Sequence, residues 1–399
     1  MARSSVAGAG RRPPAFATPR DRPAAADDLR PPRIPPDTAL VGTVALLVAI
    51  GVIMIFSASS ATAAAMHGDG AYYFKRELVW LALGAPVAYL AYRLDYRLLR
   101  RLAPVVLVAG LLLQAAVLVP HLGLAAGDSR RWLGTSAFSF EPAEFTKLAV
   151  IVYLSAAIAT MGDRIRVFSS GLFPLALVVL VFAMLIVKEP DLGTASIVTF
   201  VGFALLYAGR ARIVHLLMIA AVTVPVGAFV VWHDAAKRAR IFAFVHPWDD
   251  PQNKGYQITQ SLMAIGSGGP FGLGLGFSRQ KFFFLPEHFT DFIFAILGEE
   301  IGLVGGSLVL LLFVVFAYRA TRIALHARDR FGFFLATGCT SLIVIQALIN
   351  IGVVSSSWPT TGVPLPFISF GGSSLVVSLV AVGLILNVGK YRAVPGSVP

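Results

Sequence analysis

The chain has 399 residues, 57% of them hydrophobic and only 14% charged, with a mean hydropathy of +0.77. Such values exclude an ordinary soluble domain and indicate a polytopic membrane protein. The formal net charge of +12 does not point to nucleic acid, because most Lys and Arg lie between apolar segments, where they set orientation.

Residues 1–37 hold eight prolines, seven arginines and four aspartates. A segment this polar cannot bury enough surface to fold alone, which predicts a disordered cytoplasmic tail and no cleavable signal. Ten apolar stretches near the ~20 residues needed to span a bilayer follow. They run over 38–60, 77–93, 103–121, 143–161, 170–187, 190–208, 213–232, 291–318, 331–353 and 367–389. Lys188, Glu189 and Pro190 leave room only for a tight hairpin between the fifth and sixth. Loops 2–3, 4–5, 6–7 and 8–9 are rich in arginine, so the positive-inside rule places both termini in the cytoplasm. The fold class read from this pattern is an all-α bundle of about ten transmembrane helices over 38–392. A large extracytoplasmic loop, 233–290, joins spans 7 and 8, and 393–399 form a short cytoplasmic tail.

That loop carries Lys237, Arg238, Arg240, Lys254, Arg279 and Lys281, which the orientation rule alone does not predict. It is either a solvated loop or a basic surface for an anionic ligand such as a lipid diphosphate. Its aromatics Phe242, Phe244, Trp248 and Tyr256 indicate a partly ordered, membrane-hugging element. The glycine cluster at 266–276 is not followed by GK[ST], so it is not a Walker loop.

Asp291 stands where this loop enters the eighth span. It is either the N-cap of that helix or a general base, or cation ligand, beside a bound substrate, and the two roles are compatible. Glu144 and Lys147, three apart, share one helical face as an ion pair or as a polar cavity wall. Arg130 and Arg131, before Trp132, suit a diphosphate clamp or an interfacial anchor. Asp191 follows Pro190 at the hairpin tip, a favourable place for a charge at a helix start. Glu299 and Glu300, about two turns into the eighth span, must face protein or water. Gly302, Gly305 and Gly306 suggest close helix approach. The single Cys339 excludes an internal disulfide, and the histidines form no zinc spacing.

Six motifs together resemble the SEDS family (shape, elongation, division and sporulation) of ten-span membrane glycosyltransferases. They are RRWLG at 130–134, EPAEFTKLA at 141–149, EPDLGT at 189–194, HPWDDPQNKGYQITQSLMAIGSGG at 246–269, GLGFSRQKFFFLPEHFTDFIFAILGEEIG at 274–302 and GVPLPFISFGGSSL at 362–375. The GYQ-x-x-QSL run, the S-x-QK before FLPE and the GEE-x-G resemble the division-type branch rather than the elongation type; a sporulation-type member reads much the same. One departure is Phe289, which takes the place of a usual histidine, with His288 one position earlier.

The resemblance implies polymerisation of peptidoglycan strands from lipid II, a disaccharide-pentapeptide on undecaprenyl diphosphate. Asp291 would activate the acceptor hydroxyl, and Arg131, Glu144, Lys147, Asp191, Gln257, Gln260 and Lys281, each within a motif, would line the substrate cavity. A class B penicillin-binding protein and other division proteins are the implied partners, at a septal site in the bacterial cytoplasmic membrane. A divalent cation, Mg or Mn, would balance the diphosphate charge, although no cation site is legible. A lipid II flippase and a scaffold that only recruits a transpeptidase are the competing readings. The absence of a clear internal repeat counts against the flippase.

Overall fold

The computed structural model describes residues 35–119, 122–126, 129–135 and 139–391, so both expected tails lie outside the described residues. Ten helices correspond to the ten apolar stretches. They are α1 (Thr38–His67), α2 (Tyr72–Arg93), α3 (Arg97–Leu118), α4 (Pro142–Met161), α5 (Phe173–Val187), α6 (Leu192–Ala208), α7 (Ile213–His233), α10 (Ile293–Leu325), α11 (Arg330–Val354) and α12 (Gly372–Lys390). The long connection after α7 supplies two shorter helices, α8 (Ala235–Val245) and α9 (Tyr256–Gly268). Among the described residues, eight helices are long and apolar enough to cross a membrane. The other two are α6, with 17 residues, and α2, whose first turns carry Lys75, Arg76 and Glu77. In lipid every backbone polar group must be satisfied within the segment, which is why such apolar runs become helices.

The most buried helices are α4, α11 and α12, whereas α7 is almost wholly exposed. One end of the bundle gathers the basic loops. There Arg319 pairs with Asp37 at 2.6 Å, the Tyr96 hydroxyl donates to Asp329, and Asn387 donates to the carbonyls of Ala91 and Leu94. These bonds tie the start of α1, the α2–α3 and α10–α11 turns and the end of α12 together.

The opposite end carries the long connections. Residues 121–142, read only as an outer connection, contain a small antiparallel sheet ordered β1 (Leu124–Ala126), β2 (Ser129–Gly134), β3 (Ser139–Phe140). The sequence carries no signal for this sheet, because strands of two to six residues give no periodicity to detect.

The segment between α9 and α10 folds back onto α10. Gly302, at φ 68°, breaks the α10 ladder. The carbonyls of Glu299 and Glu300 accept instead from the N–H groups of Leu273 (2.9 Å) and Gly274 (3.0 Å). A Cβ on Gly302 would lie 2.3 Å from the Gly272 nitrogen, so the close approach anticipated there is to this loop rather than to another helix. Both carboxylates of this kink are buried. Glu299 accepts from the Ser278 hydroxyl and the Arg279 and Gln280 N–H groups; Glu300 accepts from Ser57 at 2.7 Å and from Lys281 Nζ at 3.2 Å. They are fasteners of the loop that delivers Asp291.

Candidate active site

Asp291 ends that loop, one residue before the Phe292 N-cap of α10, and its carboxylate makes no capping bond. It faces a cavity of about 460 Å³. Arg131 and Trp132 of β2, Glu141, Arg76 of α2, Arg240 of α8 and Gln257 of α9 line the same space, with segments 287–292 and 360–374 closing it. The wall therefore mixes three arginines with the acids Glu141, Glu287 and Asp291.

Three hydrogen bonds fix the backbone around Asp291. Asn350 of α11 donates to the Asp291 carbonyl at 2.7 Å and to the Val363 carbonyl at 2.8 Å. Phe370 N–H donates to the Phe289 carbonyl at 3.0 Å. The Phe289 ring packs between Tyr73 and Phe370, so this departure from the usual histidine serves an aromatic cluster. His288 is buried beside it. Its Nδ1–H donates to the Leu285 carbonyl at 2.7 Å, and its Nε2 pairs with the Thr62 hydroxyl at 3.2 Å. Burial lowers its pKa, in keeping with a neutral ring that clips the loop to α1.

Arg131 is pinned to the α5–α6 hairpin tip. Its guanidinium donates to the carbonyls of Glu189 (3.2 Å) and Pro190 (2.6 Å) and stands 4.0 Å from the Asp191 carboxylate. Asp191 also caps α6 by accepting from Thr194 N–H at 3.0 Å. Asp291 and Arg131 meet over Gly362, which takes φ 73°. A Cβ there would lie 3.5 Å from Asp291 Oδ2 and 4.0 Å from Arg131 Nη1. A carboxylate and a guanidinium thus flank one small gap that a side chain would fill.

Burial pushes the Asp291 carboxyl up to about 7, and the charges of Glu287 and Asp191 add to this while Arg131 and Arg240 oppose it. A carboxylate poised near neutrality is matched to general-base work. Glu141 is also raised, by burial first and then by Glu144 and Asp191. Glu189 is raised to about 8, again chiefly by burial.

Of the residues expected on the cavity wall, Asp291, Arg131 and Gln257 are there. Glu144 and Lys147 are a buried pair 2.7 Å apart lying one layer beneath the wall. Lys147 also reaches Gln346, which donates to the Pro364 carbonyl and the Ser374 hydroxyl of the wall. Asp191 acts through Arg131. Gln260, one turn beyond Gln257 on α9, is not among the lining residues. Lys281 is a correction: it is buried against Glu300 and the Gly276 carbonyl, because a lone ammonium at that depth needs a counter-charge. The Arg130 side chain lies outside the described residues. Sequence reasoning missed Glu141, Gln346 and Asn350. A signal was present for the last two, since they are polar residues four apart on an otherwise apolar span.

Beyond the hairpin tip, an apolar groove of about 450 Å³ runs between α5, α6 and α7. Its hydroxyls, Ser196, Thr199 and Thr223, bond back to their own helices. Among the described residues, no group of three or more His, Cys, Asp or Glu side chains could hold a metal ion.

A family model described as "Cell cycle protein", covering the FtsW, RodA and SpoVE types, matches residues 37–394. A probable peptidoglycan glycosyltransferase FtsW of Trichlorobacter lovleyi is 42% identical over 352 residues, 88% of this chain and 92% of that protein. Stage V sporulation protein E of Bacillus subtilis is 42% identical over 356 residues, 89% of this chain and 97% of that protein. Among solved structures, a chain from work on the coordination of polymerization and crosslinking by a peptidoglycan synthase complex superposes with a TM-score of 0.74 and 29% identity. It covers 90% of this chain and 98% of its own. The rod shape determining protein RodA of Thermus thermophilus gives 0.66 at 29% identity, covering 90% of this chain and 99% of that one.

Proposed function

Since the chain belongs to the FtsW, RodA and SpoVE family of cell cycle proteins, we propose that it is a division-type peptidoglycan glycosyltransferase that polymerises lipid II. The observation that carries the reading is the half-buried Asp291 carboxylate facing Arg131 across the Gly362 gap, where burial raises its pKa.

The Asp291 carboxylate takes the proton from the acceptor sugar hydroxyl. That oxygen forms a bond to the donor anomeric carbon, and the bond from this carbon to the diphosphate oxygen breaks. The electron pair leaves with undecaprenyl diphosphate, and the proton on Asp291 passes to water. Arg131 meets the developing negative charge with a guanidinium already held by the hairpin-tip carbonyls, so little reorganisation accompanies the step. The substrate carries its own leaving group, so no nucleotide is needed. A divalent cation here would draw most of its ligands from the diphosphate and water, since the protein acids do not converge on one point. The groove between α5, α6 and α7 suits a prenyl chain, because its lining is mostly apolar and its three hydroxyls are bonded to their own helices.

The basic loops orient both termini to the cytoplasm and the cavity to the outer face of the membrane. A class B penicillin-binding protein is the partner that would crosslink the product, at the division septum. The test is lipid II polymerisation in detergent, with the partner present, by wild type and Asp291→Asn. Asn keeps the shape but cannot accept the proton. Loss of polymer with normal expression supports the assignment, and polymer at the wild-type rate rejects it.

A further inference from the structure

Asn350 lies in the last turns of α11, 1% exposed, one turn beyond the buried Gln346 on a mostly apolar helix. Its single amide nitrogen spends one proton on each of two loops, at 2.7 Å on the Asp291 carbonyl and at 2.8 Å on the Val363 carbonyl. Two carbonyl acceptors at those distances fix which end of the amide faces them. The other end, Oδ1, is buried without a hydrogen-bond partner. A stranded acceptor is costly, and an apolar side chain of similar volume would avoid that cost. The amide is therefore explained by its two donors, not by packing.

The two loops it joins are the two sides of the gap. One carries Asp291. The other carries Val363 and its neighbour Gly362, where an added Cβ would lie 3.5 Å from Asp291 Oδ2 and 4.0 Å from Arg131 Nη1. A second, backbone tie between these loops, Phe370 N–H to the Phe289 carbonyl, sits several residues away. We infer that Asn350 is a positioning residue whose carboxamide sets the width of the gap in which the acceptor hydroxyl meets Asp291. The inference rests on the reading of Asp291 as the base.

Without the amide, the Asp291 carbonyl and the Gly362 loop separate, and water enters beside the carboxylate. The charged groups that face Asp291 remain in place: Glu287 on its own loop, Asp191 on the hairpin tip, Arg131 on β2 and Arg240 on α8, with Arg76 and Glu141 elsewhere on the wall. A change in the titration of Asp291 then reports hydration of the gap. More water favours the ionised form, so the acid limb of the rate profile moves to lower pH.

The experiment compares the full-length wild type with Asn350→Leu in lipid II polymerisation across the neutral range. Displacement of a base by about 1 Å costs on the order of 100-fold, so kcat falls by roughly that factor. KM for lipid II stays near the wild-type value, because the side chains that hold the diphosphate are untouched, and the acid limb shifts down. A merely structural role reduces the amount of folded enzyme and leaves kcat per folded molecule, KM and the limb where they were; that result overturns the inference. Asn350→Asp is the second variant. It has the same shape and, as a neutral acid, one proton to donate, so its kcat falls between the other two; wild-type kcat with an unmoved limb overturns the inference. Failure of both variants to accumulate assigns Asn350 to folding and overturns it too. Asp291→Asn, run alongside, separates the two claims. If it is active, the proposed base is wrong; if it is inactive while Asn350→Leu behaves as wild type, only the positioning role falls.

Discussion

Replacement of Lys281 by Met discriminates between a substrate ligand and a structural clamp. The ammonium is 4% exposed, 3.2 Å from Glu300 and bonded to the Gly276 carbonyl. Removing Lys281 leaves the Glu300 charge buried with only the Ser57 hydroxyl and the Ser278 N–H as neutral partners, at up to about 3–5 kcal/mol. Thermal unfolding of Lys281→Met in detergent should accordingly drop on the order of 10 °C below wild type. Adding Glu300→Gln to it removes the stranded charge, so the double variant melts above Lys281→Met, a coupling on the order of 2 kcal/mol. KM for lipid II, measured on the folded fraction, stays as in wild type, because Lys281 does not line the cavity. A Lys281→Met protein that melts with the wild type but has a raised KM would refute the clamp and return Lys281 to the substrate.

The elevated Asp291 carboxyl makes two coupled predictions. Polymerisation requires the ionised base, so kcat declines as pH falls through about 7. For stability the sign is the reverse. The folded pKa lies above the ordinary value of 3.8, so stability is full below pH 3.8 and is lost as pH rises through about 7. Asp291→Asn therefore melts above the wild type at pH 8, by a few kcal/mol at most after allowance for the partial solvent access of the carboxylate, and the difference narrows towards pH 5. Equal melting at both pH values contradicts the raised pKa. Gly362→Ala puts a methyl between Asp291 and Arg131 at φ 73°, adding about 1–2 kcal/mol of backbone strain and closing the gap. Its kcat/KM for lipid II should drop by tenfold or more, on the order of the loss from a 1 Å misplacement. A rate equal to wild type would place the reacting atoms elsewhere.

Apolar runs and two short polar signatures, EPAEFTKLA and PEHFTD, made the helix order and the place of Asp291 at the entry to α10 legible in the sequence alone. These features act locally. Lipid leaves the backbone of an apolar run few alternatives to a helix. The pairings were set by tertiary structure, because they join residues far apart in the chain. Asn350 lies 59 positions from Asp291, and the Glu300 partner Ser57 lies 243 away. Lys281 and Arg131 look alike as basic residues in outer connections, yet one is sealed against a buried glutamate and the other opens onto the cavity. Sequence spacing carries no record of which buried carboxylate a lysine will meet; only the fold-back of the loop onto the Gly302 kink decided it.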